Sequence, residues 1–150
     1  MATRRVRRTT VDVDVSVVAP SGCHRIALDV FVPENLGPRP LLWVCIPGGG
    51  INRRYFDLEV EGQDGGYSMA RHLAAGGDLV VTVDPPGVGG SDMPDDGYTL
   101  TPGAVAAVLA EAIGTLRTDL VSGGIPAAGL PSVVPRSTIG LGHSAGALLV

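Results

Sequence analysis

The chain has 150 residues, of which 45% are hydrophobic and 17% charged, a composition that fits one folded domain and excludes a disordered chain. Its formal net charge is −4, so no basic surface is predicted for nucleic acid. No apolar run reaches the ~20 residues of a membrane-spanning helix, and two cysteines are too few for a disulfide framework. A reduced, cytoplasmic setting is therefore the default expectation.

The N-terminal segment carries four of the eleven basic residues, and residues 1–10 are predicted to be a basic, flexible tail. No apolar region follows the arginines, which excludes a secretory signal here. Valines then alternate with polar residues over residues 11–17, and a second alternation covers residues 26–32 after a Pro-Ser-Gly turn. This period of two predicts an antiparallel hairpin of half-buried strands.

Three largely apolar runs come next, at residues 41–46, 79–83 and 137–141, and the first of them is continuously apolar. Such runs are typical of parallel strands that are covered on both faces. Helical patterns separate them, at residues 69–75 after the capping residue Ser68 and from Thr101 onward to a Gly-Gly pair, and residues 145–150 predict the start of another helix. The predicted fold class is α/β, with an antiparallel hairpin followed by parallel strands that alternate with helices.

A serine lies between two glycines directly after the third apolar run, in Gly-His-Ser-Ala-Gly at residues 142–146. The motif alone is weak, because a chain with 22 glycines would match Gly-x-Ser-x-Gly by chance in roughly one case in six. Its position between a strand and a helix indicates a nucleophile elbow, where a strained turn exposes Ser144. The two glycines would allow the close packing that this turn requires, and the backbone N–H of Ala145 would donate to an oxyanion.

Two further turn-rich segments follow the other apolar runs. Residues 47–50 read Pro-Gly-Gly-Gly, a segment able to turn a second N–H toward a bound acyl group. Residues 84–92 read Asp-Pro-Pro-Gly-Val-Gly-Gly-Ser-Asp. Each segment comes directly after a predicted buried strand, so all three would meet at the carboxyl edge of one sheet.

These three motifs, in this order, resemble those of the α/β-hydrolase superfamily, of the serine esterase and lipase type. Residues 47–50 are similar to its His-Gly-Gly-Gly oxyanion segment, with Pro47 where histidine is common, and residues 84–92 to its Asp-x-x-Gly-x-Gly-x-Ser loop. The resemblance implies that Ser144 is the nucleophile and that the backbone N–H groups of Gly49 and Ala145 are the oxyanion donors, with Gly50 as a further candidate. It also implies that Asp84 fixes its own loop.

The triad acid and histidine of this family follow the serine in the chain. Only six residues follow Ser144, and none of them is acidic or histidine. His24, His72 and His143 are predicted to lie on the hairpin, on the short helix and on the far side of the elbow. We therefore expect residues 11–150 to be the N-terminal half of an α/β-hydrolase domain, truncated after the elbow, and the isolated chain to be inactive.

The predicted function is that of a serine hydrolase that acts on carboxylic esters or related acyl substrates through an acyl-enzyme on Ser144. The expected partner is a small-molecule acyl substrate, with no cofactor, metal, nucleic acid or membrane span, and the oligomeric state stays open. Residues 51–66 would be either an acyl pocket or a solvated loop.

One alternative to a serine hydrolase is a non-catalytic binding protein on the same scaffold. Another, a phosphate site at residues 87–90, has the wrong glycine spacing and no Walker lysine.

Overall fold

The computed structural model describes residues 5–63 and 66–150, which form one five-stranded mixed sheet with helices on its two faces. The strands are β1 (Val6–Asp14), β2 (Arg25–Pro33), β3 (Leu41–Ile46), β4 (Leu79–Val83) and β5 (Ser137–Gly142), in the spatial order β1-β2-β4-β3-β5. The α-helices are α1 (Met69–Ala74) and α2 (Pro102–Ser122). Short 3₁₀ helices cover Arg53–Phe56, Gly97–Thr99, Pro126–Ala128 and Ser144–Leu148.

The sheet topology confirms the predicted fold class. β2 pairs antiparallel with both β1 and β4, whereas β3 pairs in parallel with β4 on one side and with β5 on the other. The carboxyl ends of β3, β4 and β5 therefore share one edge of the sheet, and the segments that follow them start side by side. β5 is the last strand at its side of the sheet.

The two faces of the sheet bury different sets of side chains. Alternate residues of β3 point to opposite faces, so Leu42 and Val44 pack with α2 while Cys45 packs with α1. Both faces of β4 are buried, which explains its largely apolar sequence. The α2 face buries five side chains of that helix: Val108, Leu109, Ala112, Leu116 and Leu120.

Both α-helices begin where their capping residues were expected. The Ser68 hydroxyl accepts a hydrogen bond of 3.0 Å from the Arg71 amide at the start of α1. The Thr101 hydroxyl accepts one of 3.2 Å from the Ala104 amide, and Pro102 occupies the first turn of α2, where a proline costs no hydrogen bond. Gly123 follows the last residue of α2.

The N-terminal prediction is wrong for residues 6–10, because β1 begins at Val6. Both arginines of this segment have partners within the fold, although Arg7 is also exposed to solvent. Arg8 pairs with the buried carboxylate of Asp57 at 2.6 Å, and Arg7 donates to the carbonyl oxygens of Ala128 (3.1 Å) and Gly129. Residues 1–4 of the predicted tail lie outside the described residues.

The end of β1 and the segment after β5 also differ from the predictions. β1 ends at Asp14, where the carboxylate accepts hydrogen bonds from the Ser16 hydroxyl and amide and so starts a turn. The same two bonds lower the pKa of Asp14. After β5, the predicted α-helix is a 3₁₀ helix, Ser144–Leu148, followed by a bond of the same spacing from the Leu149 amide to the Gly146 carbonyl (3.1 Å).

The Cys45 thiol gives a test of this core. Burial raises its pKa to about 12, so alkylation of Cys45 at pH 8 should be at least ~100-fold slower in the folded protein than in denaturant. The folded state holds the thiol proton more tightly than the unfolded state does. The contribution of this proton to the free energy of unfolding is therefore complete below the unfolded pKa of ~8.5 and is lost as the pH rises toward 12. Iodoacetamide labelling with peptide mapping measures the rates, and equal rates in both states would contradict the burial.

Among residues 5–63 and 66–150, no helix has both the length and the apolar character that crossing a membrane requires.

Candidate active site

Ser144 has a backbone conformation that sets it apart from its neighbours. Its φ is +52°, and it is the one described residue other than glycine with a positive φ. Such a conformation is strained for a residue with a side chain and is found mainly where function requires it. His143 before it is still extended (φ −110°, ψ 130°), and Ser144 begins the 3₁₀ helix. The chain thus reverses direction at Ser144 and leaves its side chain exposed.

The glycines on either side of the turn are sterically required. A Cβ atom at Gly142 would lie 2.4 Å from the Gly146 carbonyl oxygen and 2.5 Å from the Ala147 nitrogen. A Cβ atom at Gly146 would lie 2.2 Å from the Ile46 carbonyl oxygen. Real Cβ atoms do not approach backbone this closely, so the turn passes tightly over the end of β3. The glycine pattern in the sequence therefore reports close backbone packing, as predicted.

The strand register brings residues 47–50 beside the serine. Ile46 of β3 pairs with Gly142 of β5, and the His143 amide donates to the Ile46 carbonyl at 3.1 Å. A Cβ atom at Gly48 would lie 3.4 Å from the Ser144 Cβ, and one at Gly49 would lie 3.7 Å from the Ala145 Cβ. The predicted nucleophile and the two predicted donor residues are thus neighbours in the structure.

The backbone N–H groups of Gly49 and Ala145 are available as donors. Neither forms a hydrogen bond with any described residue, and Ala145 is at the start of a 3₁₀ helix, where N–H groups have no partner within the helix. Gly50, the further candidate, has a φ of +71°, which glycine adopts without strain. Two free donors beside an exposed hydroxyl are the arrangement that would stabilise a tetrahedral oxyanion.

Asp84 follows β4 and is buried, with 1% of its surface exposed. Its carboxylate accepts hydrogen bonds from the Arg53 amide (2.7 Å), the Gly90 amide (2.6 Å) and the Arg53 guanidinium. A Cβ atom at Gly89 would lie 2.2 Å from one carboxylate oxygen, so only glycine fits there. Asp84 therefore fixes its own loop. Its carboxylate already accepts the hydrogen bond of the Gly90 amide, which a phosphate group bound at residues 87–90 would need.

Arg53 makes a connection that the sequence did not reveal. Its guanidinium pairs with Asp84, and its Nε lies 3.0 Å from the Asp29 carboxylate without being aligned for a hydrogen bond. Asp29 belongs to β2 and is itself buried, and it also accepts a 2.7 Å bond from the Thr10 hydroxyl. Arg53 thus joins the segment after β3 to β2 and to the loop that follows β4.

The Asp84 carboxylate should stabilise the fold measurably. Asp84→Asn keeps the shape of the side chain but removes its charge, and its amide group would face two N–H donors. We expect the free energy of unfolding to fall by about 2 kcal/mol. Asp12→Asn is the matched control, because Asp12 is exposed and pairs with Arg25 at 2.9 Å, a contact worth less than ~1 kcal/mol. Urea denaturation measures both variants, and equal losses would contradict the role assigned to Asp84.

Residues 64 and 65 of the predicted pocket or loop at 51–66 lie outside the described residues. The remaining residues form neither a single pocket nor a fully solvated loop. Phe56 and Asp57 are buried, and Asp57 accepts bonds from Arg8, Ser68 and Arg71. Tyr55 is partly exposed and stacks on the His143 ring, with ring centroids 4.7 Å apart and an interplanar angle of 25°. The aromatic residue of this loop nearest the serine is therefore packed against the elbow itself.

None of the three histidines is placed as a base for Ser144, whose hydroxyl bonds to no described residue. His24 precedes β2, which is three strand spacings from β5, or ~14 Å. His72 is exposed on α1 and lines a cavity of about 1020 Å³ beside Pro33, at the opposite edge of the sheet. His143 packs on Tyr55 and on Gly48, where a Cβ atom would lie 3.0 Å from the His143 Nδ1.

The part of the chain that the structure describes contains no group of three or more His, Cys, Asp or Glu side chains arranged to hold a metal ion.

Solved structures resemble this fold at low sequence identity. A cold-adapted esterase from an Arctic intertidal metagenomic library matches 99% of the chain with a TM-score of 0.59 and 17% identity. The rice cell wall degrading esterase LipA from Xanthomonas oryzae matches 97% with a TM-score of 0.57, and an alpha/beta hydrolase from Novosphingobium aromaticivorans matches 99% with 0.56, both at 21% identity. The chain spans 54%, 36% and 38% of these three proteins, respectively.

At the level of sequence, no curated protein matches the chain. The sequence model of the alpha/beta hydrolase family, however, matches residues 43–150, which include most of β3, all of β4 and β5 and the three turn-rich segments. Since this match covers more than two thirds of the residues and agrees with the sheet topology, the chain belongs to the alpha/beta hydrolase family.

Proposed function

We propose that this protein is a serine hydrolase that acts on carboxylic esters through an acyl-enzyme on Ser144. The observation that carries the proposal is the strained, exposed Ser144 beside the unbonded N–H groups of Gly49 and Ala145. Family membership supports a hydrolase, and esterases among the structural neighbours support esters as the substrate class. Thioesters, amides and lactones are chemically related substrates that the same site would accept.

In the proposed reaction, Ser144 Oγ attacks the acyl carbon of the ester and gives its proton to a base. The C–O bond that forms turns the carbonyl oxygen into an oxyanion, which accepts hydrogen bonds from the Gly49 and Ala145 amides. The oxyanion collapses, the C–O bond to the alcohol breaks, and the alcohol leaves with the proton. Water then attacks the acyl-enzyme in the same way and releases the carboxylic acid.

A histidine and an acidic residue from outside these 150 residues would complete this machinery. The Ser144 hydroxyl has no described partner, and His24, His72 and His143 have the placements given above. A serine hydroxyl without a base is a poor nucleophile. We therefore expect the 150-residue chain alone to hydrolyse p-nitrophenyl acetate poorly or not at all.

Covalent labelling tests the proposal directly. The full-length protein should react with a fluorophosphonate probe, and peptide mapping should locate the adduct on Ser144. Heat-denatured protein is the control for non-specific reaction, and Ser68, a buried serine, should stay unmodified. A correctly folded full-length protein that is never labelled would instead support the alternative of a non-catalytic binding protein on this scaffold.

A further inference from the structure

A chain of ring contacts connects the core to the glycine segment. Phe56 is buried on the α1 face, and the Tyr55 ring meets it edge-on, with centroids 5.1 Å apart and an interplanar angle of 84°. Tyr55 in turn stacks on His143 at 4.7 Å. The His143 ring then covers Gly48, since a Cβ atom there would lie 3.0 Å from Nδ1. Each ring therefore limits the movement of the next.

The glycine segment needs such support. Three consecutive glycines give residues 48–50 more backbone freedom than any other sequence would. β3 fixes the segment at one end, and the Ile51 amide, bonded to the Gly48 carbonyl at 3.1 Å, closes a turn at the other. Gly49 lies in the middle of this turn, and its amide forms no bond with a described residue that would hold its direction.

We propose that Tyr55 is a positioning residue, which by stacking on His143 holds the Gly48 and Gly49 backbone at a fixed distance from Ser144. This inference rests on the proposed function, since it assigns to Tyr55 the placement of one oxyanion donor. It follows that Tyr55 affects the transition state more than substrate binding. The Tyr55 ring is what the contact uses, and its hydroxyl forms no hydrogen bond with a described residue.

The test compares Tyr55→Ala with Tyr55→Phe in the full-length protein. With p-nitrophenyl butyrate, Tyr55→Ala should lower kcat by ~10- to 100-fold and change KM less than about twofold, because a displaced donor weakens only the transition state. Tyr55→Phe keeps the stacked ring and should restore kcat to within about threefold of wild type. An aryl trifluoromethyl ketone, which binds as a tetrahedral oxyanion, should lose affinity for Tyr55→Ala in parallel with kcat.

Amide hydrogen exchange gives a readout that does not require activity. Exchange of the Ile51 amide, which is bonded to the Gly48 carbonyl, should become at least ~10-fold faster in Tyr55→Ala and stay at the wild-type rate in Tyr55→Phe, while α2 is unchanged. His143→Ala should have the same effects as Tyr55→Ala, and the double variant should be no worse than either single variant, because both remove one contact. Tyr98→Ala is the matched control, since the Tyr98 side chain is 97% exposed.

Several outcomes would overturn the inference. A rise in KM without a fall in kcat would make Tyr55 a wall of the substrate pocket, and a Phe variant as impaired as the Ala variant would assign the role to the hydroxyl. Unchanged exchange of the Ile51 amide in Tyr55→Ala would show that the stack does not hold the glycine segment in place. If wild-type protein has no turnover and no label on Ser144, the proposed function fails, and the exchange data still decide whether Tyr55 anchors the segment.

Discussion

Ser144→Ala in the full-length protein is expected to lower kcat/KM for p-nitrophenyl esters by at least ~10³-fold and to abolish fluorophosphonate labelling. The physical reason is the loss of the attacking oxygen, while the amides of Gly49 and Ala145 and the rest of the site stay in place. Stability should be close to that of wild type, because alanine has the same Cβ atom and keeps the positive φ of +52°. Steady-state kinetics and urea denaturation measure the two effects.

Ser144→Gly separates catalysis from backbone strain. It should be as inactive as Ser144→Ala, but its free energy of unfolding should be higher by about 1 kcal/mol, because glycine adopts a positive φ without strain. The difference between the two variants thus measures the strain stored at the turn. Activity above a tenth of wild type in either variant would show that another residue is the nucleophile, and a less stable glycine variant would show that the turn is unstrained.

The second large effect is expected for Gly146→Ala, which should lower the free energy of unfolding by about 3 kcal/mol. The new Cβ atom would lie 2.2 Å from the Ile46 carbonyl oxygen and 2.5 Å from that of Pro47. Both neighbours are backbone atoms, so β5 and the serine turn must move away from β3. That movement also separates Ser144 from Gly49, and hydrolysis should be lost with stability.

Gly114→Ala is the matched control for this variant. Gly114 is exposed inside α2, and a Cβ atom there would meet nothing within 4 Å. Alanine is the better helix former, so the same substitution should here raise the free energy of unfolding by up to ~1 kcal/mol. Urea denaturation of both variants gives the comparison. Effects of the same sign would mean that close packing does not explain the glycine at position 146.

The parallel strands could be predicted closely from the sequence. β3 and β4 have the predicted bounds, and β5 extends one residue further than predicted. Both faces of β4 are buried, so its run is apolar apart from Thr82 and ends where the strand ends. The prediction of burial on both faces is wrong for β5, which is the last strand of the sheet and has only exposed and partly exposed residues. The start of α2 could be predicted for a different reason, because Thr101 and Pro102 act locally on the first helical turn.

The predicted hairpin is confirmed, but the first part of β1, residues 6–10, could not be predicted as strand because its stabilising partners are distant in sequence. Arg8 resembles a solvated residue until Asp57, 49 positions away, is brought beside it. The same holds for Arg53, whose partners are Asp29 in β2 and Asp84 in the loop after β4. A charged side chain carries no signal of whether its partner will be water or a buried carboxylate, so only the folded chain decides.

The sequence by itself determined the serine between two glycines, the glycine run and the order of strands and helices, because steric limits on glycine and apolar burial act residue by residue. The tertiary structure alone decided that Gly49 and Ser144, 95 positions apart, become neighbours, since this depends on β3 pairing with β5 in one register. It also decided the stacking of Tyr55 on His143. These features come from packing between distant segments, which no local pattern encodes.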